Sequence, residues 1–134
     1  MKSEETTANE GNNPSDKITD ALAIVLIEKH LDLWSERNSE FRKNELASVY
    51  SSLVTIHDPI AGLIRFEELN SFIDDLLRKF SNFKFSIMEP IDVHGEVARL
   101  SWAFGPEDNP EEVTGQDFFI FMDGKIISLS IFLD

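Results

Sequence analysis

The chain of 134 residues has room for one compact domain and too little for two ordinary ones. Hydrophobic residues make up 42% of it, enough to build a core, which excludes wholesale disorder. Twelve basic against 25 acidic residues give a formal charge of −13, so neither nucleic acid nor an anionic membrane surface is an expected partner.

Cysteine is absent, which removes disulfides, thiolate metal sites and a cysteine nucleophile together and fits a reducing, cytoplasmic setting. Residues 1–16 hold mainly Ser, Thr, Asn, Gly and acidic side chains, with Lys2 and Pro14 among them and only Met1 and Ala8 as apolar positions. They read as a disordered acidic tail without the apolar run of a signal peptide. Residues 17–134 read as one domain. No stretch approaches the ~20 apolar residues of a membrane span.

From Ser15 or Asp16, either of which could cap a helix, Ile18, Leu22, Val25, Leu26 and Leu33 or Trp34 recur at helical spacing. Asn38-Ser39 offers a break and a new cap, and the spacing predicts a second helix with Leu46, Val49, Tyr50 and Leu53 on one face. Val54-Thr55-Ile56 is β-rich and is stopped by Asp58-Pro59. A third helix from about Arg65 to Phe80 carries a stripe of Leu69, Phe72, Ile73, Leu76, Leu77 and Phe80. Four strands follow: Phe83–Asp92, Glu96–Phe104, Thr114–Met122 and Lys125–Leu133. The last two are joined by Asp123-Gly124, a tight-hairpin signal because both residues tolerate positive φ.

Helices gathered before strands argue for an α+β fold, three helices packed on one face of a curved, mostly antiparallel sheet. No glycine-rich phosphate loop follows a strand. With a plain two-residue turn, Asp117 would pair with Ser130 and share a face with Phe119, Phe121 and Ser128. The other face would then hold Phe118, Ile120, Leu129 and Ile131, and a bulge would swap the assignment. Both faces are apolar enough to need cover, so a homodimer through the sheet is expected.

The ordered set Trp34, His57-Asp58-Pro59 before Gly62, Phe83-Lys84-Phe85, Arg99-Leu100-Ser101-Trp102, Gly115-Gln116-Asp117, Asp123-Gly124-Lys125-Ile126 and the closing Phe132-Leu133-Asp134 resembles the nuclear transport factor 2-like superfamily. Within it the likeness is to the SnoaL-like polyketide cyclases and the related ketosteroid isomerases, over Ile18 to Asp134. The resemblance implies a cone-shaped α+β fold with an apolar pocket between helices and sheet, commonly assembled as a homodimer. The superfamily holds enzymes and binding modules alike, so it does not by itself choose a chemistry.

By that resemblance, Asp58 stands where an isomerase carries its general base. Asp117 stands where the cyclases carry an acid–base aspartate and the isomerases a proton-donating one. His30 falls near the isomerase tyrosine on the first helix. Moving a proton beside a carbonyl needs a base and a donor for the developing oxyanion, and these three residues could supply them without metal or redox cofactor. Each also has a plainer reading: Asp58-Pro59 as a turn, Asp117 as a solvent-facing or paired charge, His30 as a core-edge histidine. His30, His57 and His94 are too scattered to suggest a metal.

Trp34, Tyr50, Phe72, Trp102 and Phe119 would suit the walls of a pocket for a small apolar ligand, or simply the core. Arg99 could meet an anionic ligand group or pair with an acidic neighbour. It lacks the carboxylates that the superfamily's epoxide hydrolases pair with their arginine, because Ser101 and Ile131 stand there instead. Two functions therefore remain: an acid–base isomerase, cyclase or dehydratase acting on an apolar carbonyl compound, or a non-catalytic dimeric binding module.

Overall fold

The computed structural model describes residues 18–134; the expected caps Ser15 and Asp16 and the expected tail lie outside them. Helix α1 spans Asp20–Trp34 and is capped by Thr19, whose hydroxyl accepts from the Leu22 N–H at 3.2 Å. Its buried face runs through Ala23, Leu26, Ile27, His30, Leu31 and Trp34, while Leu22 and Val25 are exposed, against the expected stripe. The two stripes are one residue apart in phase. Tertiary hydrogen bonds to His30 and Trp34 favour the one that carries them.

Helix α2, Ser39–Glu45, is capped by Asn38, which accepts from the Phe41 N–H at 3.0 Å. It is shorter than expected: a 3-10 turn over Leu46–Ser48 ends it, and strand β1 begins at Tyr50 and runs to Asp58. Tyr50 and Leu53 are therefore strand residues. Tyr50 is buried and Leu53 is 77% exposed, because alternation across a pleat replaces the helical face. The Ile126 N–H donates to the Val49 carbonyl at 2.9 Å and holds the chain at this change of direction.

At the end of β1, Asp58 Oδ2 accepts from the N–H groups of Ile60 and Ala61 at 2.9 and 2.8 Å, an aspartate-closed turn. Strand β2, Gly62–Arg65, returns antiparallel on the sheet edge. It is too short to have shown a period in the sequence. Helix α3, Phe66–Lys79, buries Leu69, Ile73 and Leu77, with Phe72, Leu76 and Phe80 half-buried beside them. Arg42, fully buried, ties α2 to α3 by donating to Asn70 Oδ1 at 2.8 Å and pairing with Asp74.

The segment expected as one strand from Phe83 is two, β3 (Lys84–Ile87) and β4 (Asp92–His94), interrupted around Pro90, which has no N–H for a ladder. Both pair with β5 (Val97–Gly105), through Ile87 opposite Trp102 and Asp92 opposite Arg99. Strands β6 (Val113–Met122) and β7 (Lys125–Leu133) complete the sheet, in the order β2-β1-β7-β6-β5-β3. Every pairing is antiparallel except β1 with β7, where Ile56 meets Leu129 and His57 meets Ser130. The architecture is α+β, three helices over one face of a curved, mostly antiparallel sheet.

Asp123 and Gly124 both adopt positive φ, 54° and 73°, as the tight turn requires. The register nevertheless shifts between Ile120 and Phe121, so Asp117 pairs with Ile131 and Phe119 with Leu129. This corrects the unbulged pairing with Ser130. Asp117, Phe119, Leu129 and Ile131 share the face toward the helices. Phe118, Ile120, Ser128 and Ser130 share the outer one. Among the described residues no helix is long and apolar enough to cross a membrane.

Candidate functional site

A cavity of about 490 Å³ opens between α1, α3 and the inner face of the sheet. Its walls are apolar and rich in aromatic rings, among them Trp34 from α1, Phe72 and Phe80 from α3, Phe85 from β3, and Trp102 and Phe104 from β5. Trp34 meets Phe72 and Phe85 edge-on, with ring centroids 5.8 and 6.1 Å apart. Polar groups occur at two levels. His30 and Asp117 lie at the floor, 1% and 4% exposed; Asp58, Asp75 and Lys79 stand at the mouth.

The floor is a single hydrogen-bonded chain. Trp34 Nε1 donates to the Tyr50 hydroxyl at 3.0 Å, and that hydroxyl lies 2.6 Å from His30 Nδ1. His30 Nε2 lies 2.9 Å from Asp117 Oδ2, and Trp102 Nε1 donates to Asp117 Oδ1 at 2.9 Å. An indole N–H only donates, which sets the direction at both ends. The Tyr50 oxygen accepts from Trp34, and among the described residues its own proton has no acceptor but His30 Nδ1. His30 Nε2 then carries the ring proton and donates it to Asp117. In this arrangement every donor has an acceptor, His30 is neutral and Asp117 is a carboxylate. Burial pushes the Tyr50 hydroxyl far above its ordinary range. The Trp34 hydrogen bond opposes that shift and the Asp117 charge reinforces it, so the phenol stays protonated.

Register explains how the two aspartates reach one cavity. His57 pairs with Ser130 on β7, so Asp58 falls level with Ile131, and Ile131 pairs with Asp117. Asp58, Ile131 and Asp117 therefore form one row across three strands, with the Cα atoms of the aspartates roughly 10 Å apart at two strand spacings. Asp58 is half-buried, and among the described residues its Oδ1 has no hydrogen-bond partner.

The structure thus brings Asp58, Asp117, His30, Trp34, Phe72 and Trp102 to one cavity. Tyr50 and Phe119 stand behind the wall rather than in it. Tyr50 holds His30 and Trp34, and Phe119 packs edge-on against the His30 ring with centroids 5.1 Å apart. Arg99 does not join them. It alternates with Leu100 onto the outer face, lies opposite Phe118 and pairs with Asp92 Oδ2 at 2.6 Å, half-exposed to solvent. In the arrangement above both oxygens of Asp117 accept hydrogen bonds.

Phe104 and Lys79 line the cavity without having been singled out in the sequence, and Phe85, like Gly115, was quoted only as part of a motif. The signal for Phe85 was the alternation of Phe83-Lys84-Phe85. That for Gly115 was a glycine inside an apolar strand, a mark of close approach. A side chain at Gly115 would collide with the Trp102 indole and the Phe132 carbonyl, so the glycine is what lets Trp102 lie across β6 and reach Asp117. Among the described residues no three His, Asp or Glu side chains gather at metal-binding spacing.

The sequence matches no protein-family model and no curated protein. Solved structures do match. A SnoaL-like family protein from Agrobacterium tumefaciens, proposed to be an isomerase, superposes with a TM-score of 0.78 at 22% identity, over 85% of this chain and 98% of that one. A SnoaL-like protein from a Jannaschia species, proposed as a polyketide cyclase, gives 0.68 at 14% identity, over 94% and 92%. A nuclear transport factor 2-like protein of unknown function from an Exiguobacterium species gives 0.65 at 19%, over 81% and 98%. At these identities the likeness is one of fold: the chain has the nuclear transport factor 2-like fold shared by the SnoaL-like proteins.

Proposed function

We propose that the protein is a small-molecule pocket protein of the SnoaL-like type that carries out acid–base chemistry (isomerisation, cyclisation or dehydration) on an apolar carbonyl compound. The observation that carries this reading is one open apolar cavity holding carboxylates at different depths, Asp58 and Asp75 at its mouth and Asp117 at its floor. A purely structural cone would be filled or shallow, with its aspartates turned to solvent. The names of two fold relatives, an isomerase and a polyketide cyclase, point the same way.

In this reading Asp58 is the base. Its Oδ2 is held by two backbone N–H groups and its Oδ1 is free to take a proton from the carbon beside the carbonyl. Lys79 is the one cationic side chain among the lining residues and sits at the same mouth, where its ammonium can stabilise the developing enolate oxygen. The aromatic walls hold the apolar body of the substrate and keep water from it. No cofactor takes part.

Non-catalytic binding is the second reading, and one observation favours it: the donors at the floor already satisfy one another, as they would in a purely structural network. Deuterium exchange separates the two. Apolar ketones incubated with the protein in D2O should take up deuterium at the α-carbon faster than in buffer, followed by NMR. Asp58→Asn should abolish the acceleration while leaving ketone binding intact. Ketones that bind but exchange at the background rate would make this a binding module.

A further inference from the structure

Four N–H or O–H groups surround the floor of the cavity, and all four are engaged within it. Trp34 donates to Tyr50, Tyr50 to His30, and His30 and Trp102 to Asp117. What remains is acceptor capacity. An ionised carboxylate offers about four lone-pair positions, and two of those on Asp117 are used. The floor can therefore accept a hydrogen bond from a ligand and has none to give.

We infer, resting on the pocket reading above, that the ligand is an apolar, ring-sized molecule bearing a hydroxyl group at its buried end, which donates to Asp117. A carbonyl pressed against this floor would set acceptor against acceptor where neither could turn to solvent, an arrangement that costs the desolvation of both groups. A carboxylate would meet the Asp117 charge. An ammonium would satisfy that charge, but its three N–H groups outnumber the two lone-pair positions left on Asp117, and the rings of Trp34, Phe85 and Phe104 around it offer no oxygen or nitrogen acceptor. A hydroxyl brings one donor, and an O–H bond to a buried carboxylate is of the strong, charge-assisted kind.

The inference also orients the molecule. With the hydroxyl at Asp117, the opposite end reaches the mouth, where Asp58 and Lys79 stand. The carbonyl then belongs there, beside the base and the cation, and the substrate is a hydroxy-carbonyl compound entering hydroxyl first.

The test uses four probes built on one naphthalene body: a naphthol, its methyl ether, the matching acetyl ketone and the aminomethyl cation. Both tryptophans of the chain line the cavity, so quenching of their fluorescence reads occupancy directly. The naphthol is expected to bind about ten- to hundredfold more tightly than its ether, the range for one hydrogen bond to a charged group. That advantage should fall severalfold in Asp117→Asn, checked for folding by its thermal transition. The comparison of naphthol with ether on the unaltered protein stands even if that variant does not fold. Equal binding of naphthol and ether overturns the hydroxyl inference and leaves the pocket reading standing. Tighter binding of the ketone that is lost in Asp117→Asn and kept in Lys79→Met shows that the ketone is held at the floor, and tighter binding of the cation shows that the floor selects charge; either overturns the inference. Failure of all four probes to bind overturns the pocket reading with it.

Discussion

The Trp102 indole rests in the space that a side chain on Gly115 would fill, one strand away on the same face of the sheet. Gly115→Ala should therefore displace the indole from Asp117 rather than merely stiffen β6. Overpacking of this kind costs about 1–3 kcal/mol. Urea unfolding measures the loss, and a red shift of tryptophan emission would report an indole pushed toward solvent. An unchanged midpoint and spectrum would mean that Trp102 has room to move aside.

Asp117→Asn tests the direction of the hydrogen-bonded chain without any ligand. The amide oxygen can still accept from Trp102, but its NH2 then confronts the His30 N–H, leaving a buried donor unpaired. The expected cost is about 1–3 kcal/mol. Asp117→Ala should cost more, since it leaves both donors without an acceptor and opens a void. A protected neutral acid at this position would behave oppositely, and an Asn variant at least as stable as the parent would establish it.

Tyr50 gives a pH signature. Its hydroxyl is raised in the folded state and titrates near pH 10 in the unfolded chain. Above that value the unfolded state binds fewer protons than the folded one, so stability falls as pH rises. The contribution is complete below about pH 10 and is lost above it. Because Tyr50 is the chain's only tyrosine, phenolate absorbance should appear together with unfolding, not before it. Tyr50→Phe should flatten the alkaline slope while lowering stability at neutral pH, where the His30 and Trp34 partners are left bare. A phenolate that forms in the folded protein would contradict this.

The outer face of the sheet supports an assembly prediction. Phe118, Ile120, Met122 and Phe132 are each 40–57% exposed, and Phe118 and Phe132 pack edge-on at 5.5 Å into one apolar patch. We propose that a second copy covers it. Sedimentation should give twice the 15.3 kDa chain mass, and Phe118→Glu should return it to one. A wild-type protein that sediments as a single chain at micromolar concentration would end this proposal.

Sequence patterning located what depends on local periodicity. The α3 stripe, the Asp123-Gly124 turn and the end of β1 at Asp58 are each visible in a window of a few residues. It missed what depends on register. Whether Asp117 pairs with Ile131 or with Ser130 turns on one extra residue in β7, Ile127, opposite the Ile120–Phe121 step, and nothing in that apolar run marks a bulge. Tyr50 was placed on a helix because Leu46, Val49 and Leu53 continue a helical spacing. The 3-10 turn that breaks it is closed locally, Val49 N–H to the Leu46 carbonyl, and the chain leaving it is anchored by the long-range Ile126–Val49 hydrogen bond, which no local window shows. His30 looked like an edge residue for a similar reason: its partners, Tyr50 and Asp117, come from distant strands.

Among the described residues strand β7 is the only link between β2-β1 and β6-β5-β3, and it makes that link by their single parallel pairing. Half of the row that carries Asp58 and Asp117 thus belongs to each side of a junction between segments far apart in the chain. Contacts of such separation must bear loop-closure entropy before they return any stabilisation, and folds dominated by them form in milliseconds to seconds rather than microseconds. The cavity consequently arises with the closing of the sheet, not before it. A folding intermediate with α1–α3 docked and β7 free would have its aromatic walls but neither its row of carboxylates nor its floor, so refolding followed by ligand capture should lag behind refolding followed by helix content.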